Sequence, residues 1–409
     1  MLVIVQPLSA GVALARQAVL AGHPCLIPTE FPELLPPEVH AGAEVVDWRP
    51  GAGVPALLEL VERAGAAPAG VIAGFEYVVP EAAELARALG LPGLSRASAE
   101  AVRQKDLMRA RCTERGIAVP GSVAVPPGPV GAAPFRYPVV VKPVDCGGSL
   151  MVRLARGDAE YAAACAEIHG AGADQVKFHP NPRRVALVEE YVEGPEFSVE
   201  GWVDGGGTHV ASVTTKYVSA PPWFFETGHI ATPPGQSPYG ELLTGFTERV
   251  VAAFELTAGP FHLEARVDAS GRPVLIEIGA RLAGDSIPEL VLAGPGVDLG
   301  LAAVDAACGR RHPEPGPDGR SAGLAFVTTD RPGVFAGTVS GLEPYVGAPE
   351  FERLVWEAEA SEVLDPDDIF HNRVAQVHFR GDLAQVQRLV SGVLRDARVD
   401  ITDKEGIHA

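Results

Sequence analysis

The chain has 409 residues, 47% hydrophobic and 21% charged, a globular balance that excludes a disordered chain and suggests roughly two to four domains. A net charge of −19 argues against duplex nucleic acid or an anionic membrane as general partners, since both need a basic surface. No uncharged apolar run approaches the roughly 20 residues that span a bilayer.

Met1–Val5 reads as a first buried strand rather than a signal peptide. The five scattered cysteines, with no CxxC pair, fit a reducing cytoplasm. Residues 1 to 95 then alternate strand and helix patterns: strands at Leu2–Val5, Pro24–Ile27, Glu44–Val46 and Val71–Ala73, helices at Gly11–Ala21, Pro55–Ala64 and Glu81–Leu89. This βαβ series predicts a small parallel sheet covered on both faces. The turn Gln6–Gly11 lacks the full G-x-G-x-x-G pattern of a dinucleotide site. Gly74-Phe75-Glu76 follows a strand at the edge where open α/β sheets bind ligands, so Glu76 is a candidate substrate contact.

Residues 126–134 form a Pro/Gly-rich connector, after which strands with hairpin turns are predicted at Pro138–Lys142, Val185–Val192, Phe197–Val203 and His209–Val218. Residues 219–240, rich in Pro, Gly and aromatics, read as a long functional loop. A second loop at 309–320 leads to strands near Gly323–Thr328 and Ala375–Phe379 and a helix near Leu383–Arg395.

Only five of the 33 basic residues are lysines: Lys105, Lys142, Lys177, Lys216 and Lys404. Lys177 and Lys404 read as solvated; the others recur in the motifs below. Val139–Pro143 is a buried strand that delivers Lys142 at its end, followed by Gly147, Gly148 and Ser149. Such glycines let backbone N–H groups approach phosphates closely. Val185–Val192 ends in Glu189-Glu190-Tyr191-Val192, where main-chain groups could read an adenine edge while an acid accepts from ribose hydroxyls.

In Phe261–Val267, His262, Glu264 and Arg266 alternate with apolar residues; in Val274–Gly279, Val274, Ile276 and Ile278 face the core and Glu277 faces away. A hairpin closed at Asp268–Pro273 predicts Val267 opposite Val274 and Glu264 opposite Glu277, with Cβ atoms roughly 5 Å apart. Two such acids need a cation between them, and paired carboxylates are how Mg²⁺ is held. Arg281 follows with a two-pronged donor suited to a phosphate or carboxylate.

Taken together, Arg103–Arg109, Val141-Lys142-Pro143, Glu189–Glu196, and Glu264 with Glu277 and Arg281 resemble, in their order, the motifs of the ATP-grasp superfamily. The resemblance implies an N-terminal Rossmann-like parallel-sheet domain (1–95), an ATP-grasp domain (96–315, with a lid at about 120–190) and a C-terminal α+β domain (316–409). It implies that Lys105 and Lys142 contact ATP phosphates, with Lys216 adding to them. The backbone from Glu189 through Glu190 to Val192 would hold adenine, Glu196 the ribose, and Glu264 and Glu277 Mg²⁺ (or Mn²⁺). Gly74-Phe75-Glu76, Leu91–Leu94 and the stretch Lys216–His229 are similar to the amino-acid ligase branch, whose substrates are a small carboxylate and an amine. Glu226 and Gly228 are then substrate candidates, and His229 would orient a carboxylate or take the amine proton. Gly147–Ser149 and the aromatic loop 222–229 are expected lids. Gly279 departs from an Asn that many members carry, which bears on the number of metal ions. A cytoplasmic homodimer is expected. The alternative is a carboxylase or nucleotide-precursor ligase working through carboxyphosphate or another acyl phosphate.

Overall fold

The computed structural model describes all residues except 173–177, 180, 221, 314–315, 317–318, 369–371 and 403–409, so Lys177 and Lys404 lie outside the described residues. Strands β1 (Leu2–Val5), β2 (Cys25–Thr29), β3 (Ala43–Asp47) and β4 (Gly70–Ala73) pair in parallel in the order β3-β2-β1-β4. Every residue of β1 and β2 is buried, as expected of strands covered on both faces. The turn from β1 into the helix Ala10–Leu20 closes on the turn after β4, and a Cβ on Gly11 would come within 1.8 Å of the Gly74 carbonyl oxygen. Only glycine permits that approach, which brings the two ligand-presenting turns together.

Strands β5 (Ser122–Val125), β6 (Val139–Pro143), β7 (Arg153–Ala155) and β8 (Ala186–Glu190) form an antiparallel sheet in the order β5-β8-β6-β7, backed by the helix Asp158–Gly170. Next come β9 (Glu196–Asp204), β10 (Gly207–Val218), β11 (Glu226–Thr232), β12 (Gly259–Val267) and β13 (Pro273–Gly279). The last strands are β14 (Ser321–Thr328), β15 (Gly333–Ser340), β16 (Phe351–Trp356), β17 (Val363–Leu364), β18 (Arg373–Gly381) and β19 (Arg398–Thr402). One eight-stranded sheet runs β13-β12-β9-β10-β11-β14-β18-β16, so the C-terminal strands continue the central sheet. Among the described residues, no helix is long and apolar enough to cross a membrane.

Two sequence expectations change. Residues 219–240 are not one loop, because Glu226–Thr232 forms β11, paired with β10 on one edge and β14 on the other. Glu226, Gly228 and Ala231 are poor strand formers and leave no clean apolar alternation; pairing on both edges overrides them. In the β12–β13 hairpin Glu264 does face Glu277, but Val267 pairs with Pro273 and Arg266 with Val274. A bulge after Glu264 leaves Ile276 as the extra residue and turns it toward the same cavity as Glu277, instead of into the core.

Candidate active site

A cavity of about 490 Å³ opens between the β5–β8 sheet, the central sheet and the edge of the parallel sheet. Most of the singled-out side chains line it: Glu76, Lys105, Lys142, Glu189, Glu190, Val192, Glu196, Lys216, Glu226, Glu264, Glu277 and Arg281, with Gly147, Gly148 and Ser149 at its rim. Gly228 and His229 do not. They follow Glu226 on β11; His229 is fully buried behind the cavity, with Nε2 3.3 Å from Glu226 and 3.8 Å from Asp285.

At the centre, Glu264 and Glu277 share a strand face, and each carboxylate is met by a lysine. Lys216 Nζ lies 2.5 Å from Glu264, 2.6 Å from Glu226 and 3.5 Å from Glu196. Lys105 opens the helix Lys105–Arg115; its ammonium donates to Glu277 at 2.9 Å and to the Cys146 carbonyl at 2.6 Å, tying the helix to the base of the glycine loop. Burial works against charge at both ends of the Lys216 cluster. The carboxylates nonetheless hold the Lys216 ammonium well above its ordinary range, and Lys216 with His262 holds Glu264 well below. His262 bridges Glu200 at 3.0 Å and Glu264 at 3.2 Å; burial pushes it down, but the two acids lift it to about 9.

Toward the β5–β8 sheet the balance is positive. Glu189 accepts from Arg109 at 2.6 Å and pairs with Lys142 at 2.7 Å, all three side chains at most 5% exposed. Burial opposes its ionisation, but Arg109 and Lys142 hold it below the usual carboxylate range. One carboxylate therefore faces two cations. Burial pushes the Lys142 ammonium down, opposed by Glu189 and aided by Arg109 and Lys105, so a further anion there would relieve the site. Arg109 also donates to the carbonyl of the bulged Ile276 at 2.7 Å, fixing the irregularity that aims Glu277. Nearby, Arg266 pairs with Glu196 at 2.8 Å and donates to the Val192 carbonyl at 2.9 Å, so that carbonyl is already engaged.

At the opposite end, Arg281 donates to Glu76 at 2.6 Å, joining the turn after β4 to the end of the central sheet. Burial would raise Glu76, yet Arg281 and Arg103 keep it ionised. A Cβ on Gly279 would stand 3.2 Å from the Glu76 carboxylate, so a larger residue at 279 would crowd this pair. Arg373, from β18, closes the wall through two bonds to Asp285 at 2.8 and 3.1 Å, and its guanidinium lies 3.6 Å above the Phe326 ring.

Sequence reasoning carried Arg109 only as the last residue of the Arg103–Arg109 motif, gave Asp285 and Arg373 no role, and gave His262 none beyond a place on a polar face. Arg109 had a signal, since it stands four residues after Lys105, one helical turn on the same face. Arg373 had none, because its partner is 88 residues away.

This arrangement has a counterpart among known proteins: residues 135–289 match the ATP-grasp domain family. The chain carries an ATP-grasp domain and has the ATP-grasp fold, preceded by a Rossmann-like parallel sheet. It is 30% identical over 234 residues to the uncharacterized protein y4rH of Sinorhizobium fredii, covering 56% of this chain and 47% of that one. It is 30% identical over 159 residues to dapdiamide A synthase of Enterobacter agglomerans, covering 38% and 36%. The chain thus spans less than half the length of these relatives. Among solved structures, the L-amino acid ligase of Bacillus licheniformis superposes with a TM-score of 0.78 at 22% identity, covering 98% of both chains.

Proposed function

We propose that the chain is an ATP- and Mg²⁺-dependent ligase that activates a carboxylate, that of an amino acid, as an acyl phosphate and joins it to an amine, releasing ADP and phosphate.

 The observation that carries this reading is the charge order along one cavity: two buried cations sharing one carboxylate at the β5–β8 end, then two opposed acids, then a cation–acid pair at the parallel-sheet edge. The match to the ATP-grasp domain family and the likeness to dapdiamide A synthase, a synthase by name, support a ligase.

Glu264 and Glu277 fit a hard divalent cation, because both are carboxylates on one face and both line the cavity. When bound, Mg²⁺ or Mn²⁺ would offset the charge of phosphate oxygens during transfer. Lys105 and Lys142 would hold the phosphate chain, with the backbone of Gly147–Ser149 closing over it. Glu189–Val192 and Glu196 would border the nucleoside, with Arg266 keeping Glu196 in place. A substrate carboxylate oxygen attacks the γ-phosphorus, the bond to the β-phosphate oxygen breaks, and ADP leaves. The amine then attacks the acyl carbon, the bond from that carbon to the phosphate oxygen breaks, phosphate departs, and the amine proton passes to Glu226 in the cavity wall. Arg281 would orient the acid after exchanging Glu76 for it, while Glu226 and His229 behind it would steady the charge on the amine.

We carry three further expectations with this reading: the division at 95 and 315, a homodimer, and a cytoplasmic site of action. A phosphate-release screen over pairs of amino acids and small acids, with product masses read out, tests the function. Amine-dependent phosphate release with an amide product is expected. Release that needs bicarbonate and no amine would replace this reading with the carboxylase alternative.

A further inference from the structure

Beyond Arg281 the cavity continues to a wall that phosphate chemistry does not use. Leu8 follows β1, Leu14 lies on the first helix, Leu34 ends the short turn Pro32–Leu34 after β2, Phe75 follows β4, and Ile287 opens the helix Ile287–Ala293. Leu8, Leu34 and Phe75 sit just past the C-terminal ends of parallel strands, the edge where open α/β sheets present ligands.

Leu34 is the informative residue. It is 48% exposed although its neighbour Leu35 is 6% exposed, and it faces the cavity. About half of its surface is left in water by the described protein, on the cavity side, and an apolar group of a ligand seated there would cover it. The charged groups on the same stretch come as opposite-sign pairs, Arg281 with Glu76 and Arg373 with Asp285. A ligand there meets a cation, an anion and an apolar wall within one chamber. A carboxylate, an ammonium and an apolar side chain on one small molecule answer all three.

We infer that one of the two substrates is an amino acid with a large apolar side chain, seated against Leu8, Leu14, Leu34, Phe75 and Ile287. This rests on the ligase reading and narrows it. All five residues except Ile287 lie before residue 135, outside the stretch that matches the ATP-grasp domain family. Most of the apolar seat therefore lies in the parallel-sheet part of the chain, with Ile287 completing it from the matched stretch.

Calorimetric titration of the full chain, saturated with ADP and Mg²⁺, tests the inference with L-leucine, L-phenylalanine, L-serine and L-aspartate. The two apolar amino acids are expected to bind at least about tenfold more tightly than the polar two, the discrimination a hydrophobic pocket supplies. Leu34→Asp, a change at an exposed position, is expected to erase that gap while leaving ADP binding unchanged. Equal or tighter binding of serine or aspartate overturns the inference, as does absence of leucine binding or a gap that survives in Leu34→Asp. If leucine binds as expected but no amine partner ever yields an amide, the ligase reading fails while the apolar seat stands.

Discussion

Glu264 stands directly opposite Glu277 across β12 and β13, and two different lysines, Lys216 and Lys105, meet one carboxylate each. The lysines come from distant places in the chain, a mid-sheet strand and a helix start, so the centre assembles only when the fold is complete. In this state the ammonium groups supply the positive charge that two adjacent acids require.

Glu277→Gln and Glu264→Gln keep side-chain shape and remove the charge. Each variant is expected to fold with an unchanged circular dichroism spectrum and to lose ATP-dependent phosphate release by about 10²–10³-fold, the scale for removing one preorganised electrostatic contact. Phosphate release measured alongside the spectrum checks this; wild-type turnover in either variant would sink the metal assignment.

Arg109 acts on structure before chemistry. Its pair with Glu189 is buried, and its second contact holds the bulge at Ile276. Arg109→Met leaves Glu189 with Lys142 alone and frees the Ile276 carbonyl. A loss of about 3 kcal/mol is expected, the low end for breaking a buried pair, because Lys142 remains as a partner. Urea unfolding of the variant against the wild type gives the value, and a change below the error of the extrapolation would show that the bulge holds itself.

How far the sequence reached follows from these same residues. The parallel sheet was legible because β1, β2 and β4 are short apolar runs between turn signals, and the Glu264–Glu277 pairing because strand alternation has a strict period of two. The bulge was not legible. It changes the pairing by one residue without changing composition, and Arg109 from another element stabilises it. β11 was missed because its pairing partners, not its residues, make it a strand. The lysines stood out through scarcity, but their partners did not: nothing local says that Lys142 shares Glu189 with Arg109.

His378 gives the protein a pH dependence away from the cavity. It is buried on β18, where desolvation, helped by Arg353 opposite, pushes its pKa from 6.5 to about 4. Between those values the unfolded chain binds a proton that the folded chain refuses. The contribution of His378 is therefore fully present above pH 6.5 and lost as pH falls toward 4, with a limiting slope of about 1.4 kcal/mol per pH unit. His378→Gln is expected to flatten that slope over this range. Denaturant unfolding at half-unit pH steps for both proteins measures it, and parallel curves would refute the assignment.

Lys216 separates charge balance from catalysis. Its side chain is 2% exposed and sits among Glu196, Glu226 and Glu264. Lys216→Met keeps most of the length and leaves three acids with too little positive charge, since Arg266 serves Glu196 and His262 serves Glu264. The variant is expected to melt below the wild type in metal-free buffer. A divalent cation is then the natural replacement for the missing ammonium, because oxygen-rich acid clusters are what Mg²⁺ and Mn²⁺ select. Adding Mg²⁺ should therefore raise the melting temperature of Lys216→Met more than that of the wild type, by the linkage between binding and stability. Thermal melts with and without Mg²⁺, using a monovalent salt control of matched ionic strength, decide the matter. An equal shift in both proteins would mean that the three acids do not act as one cation-binding unit.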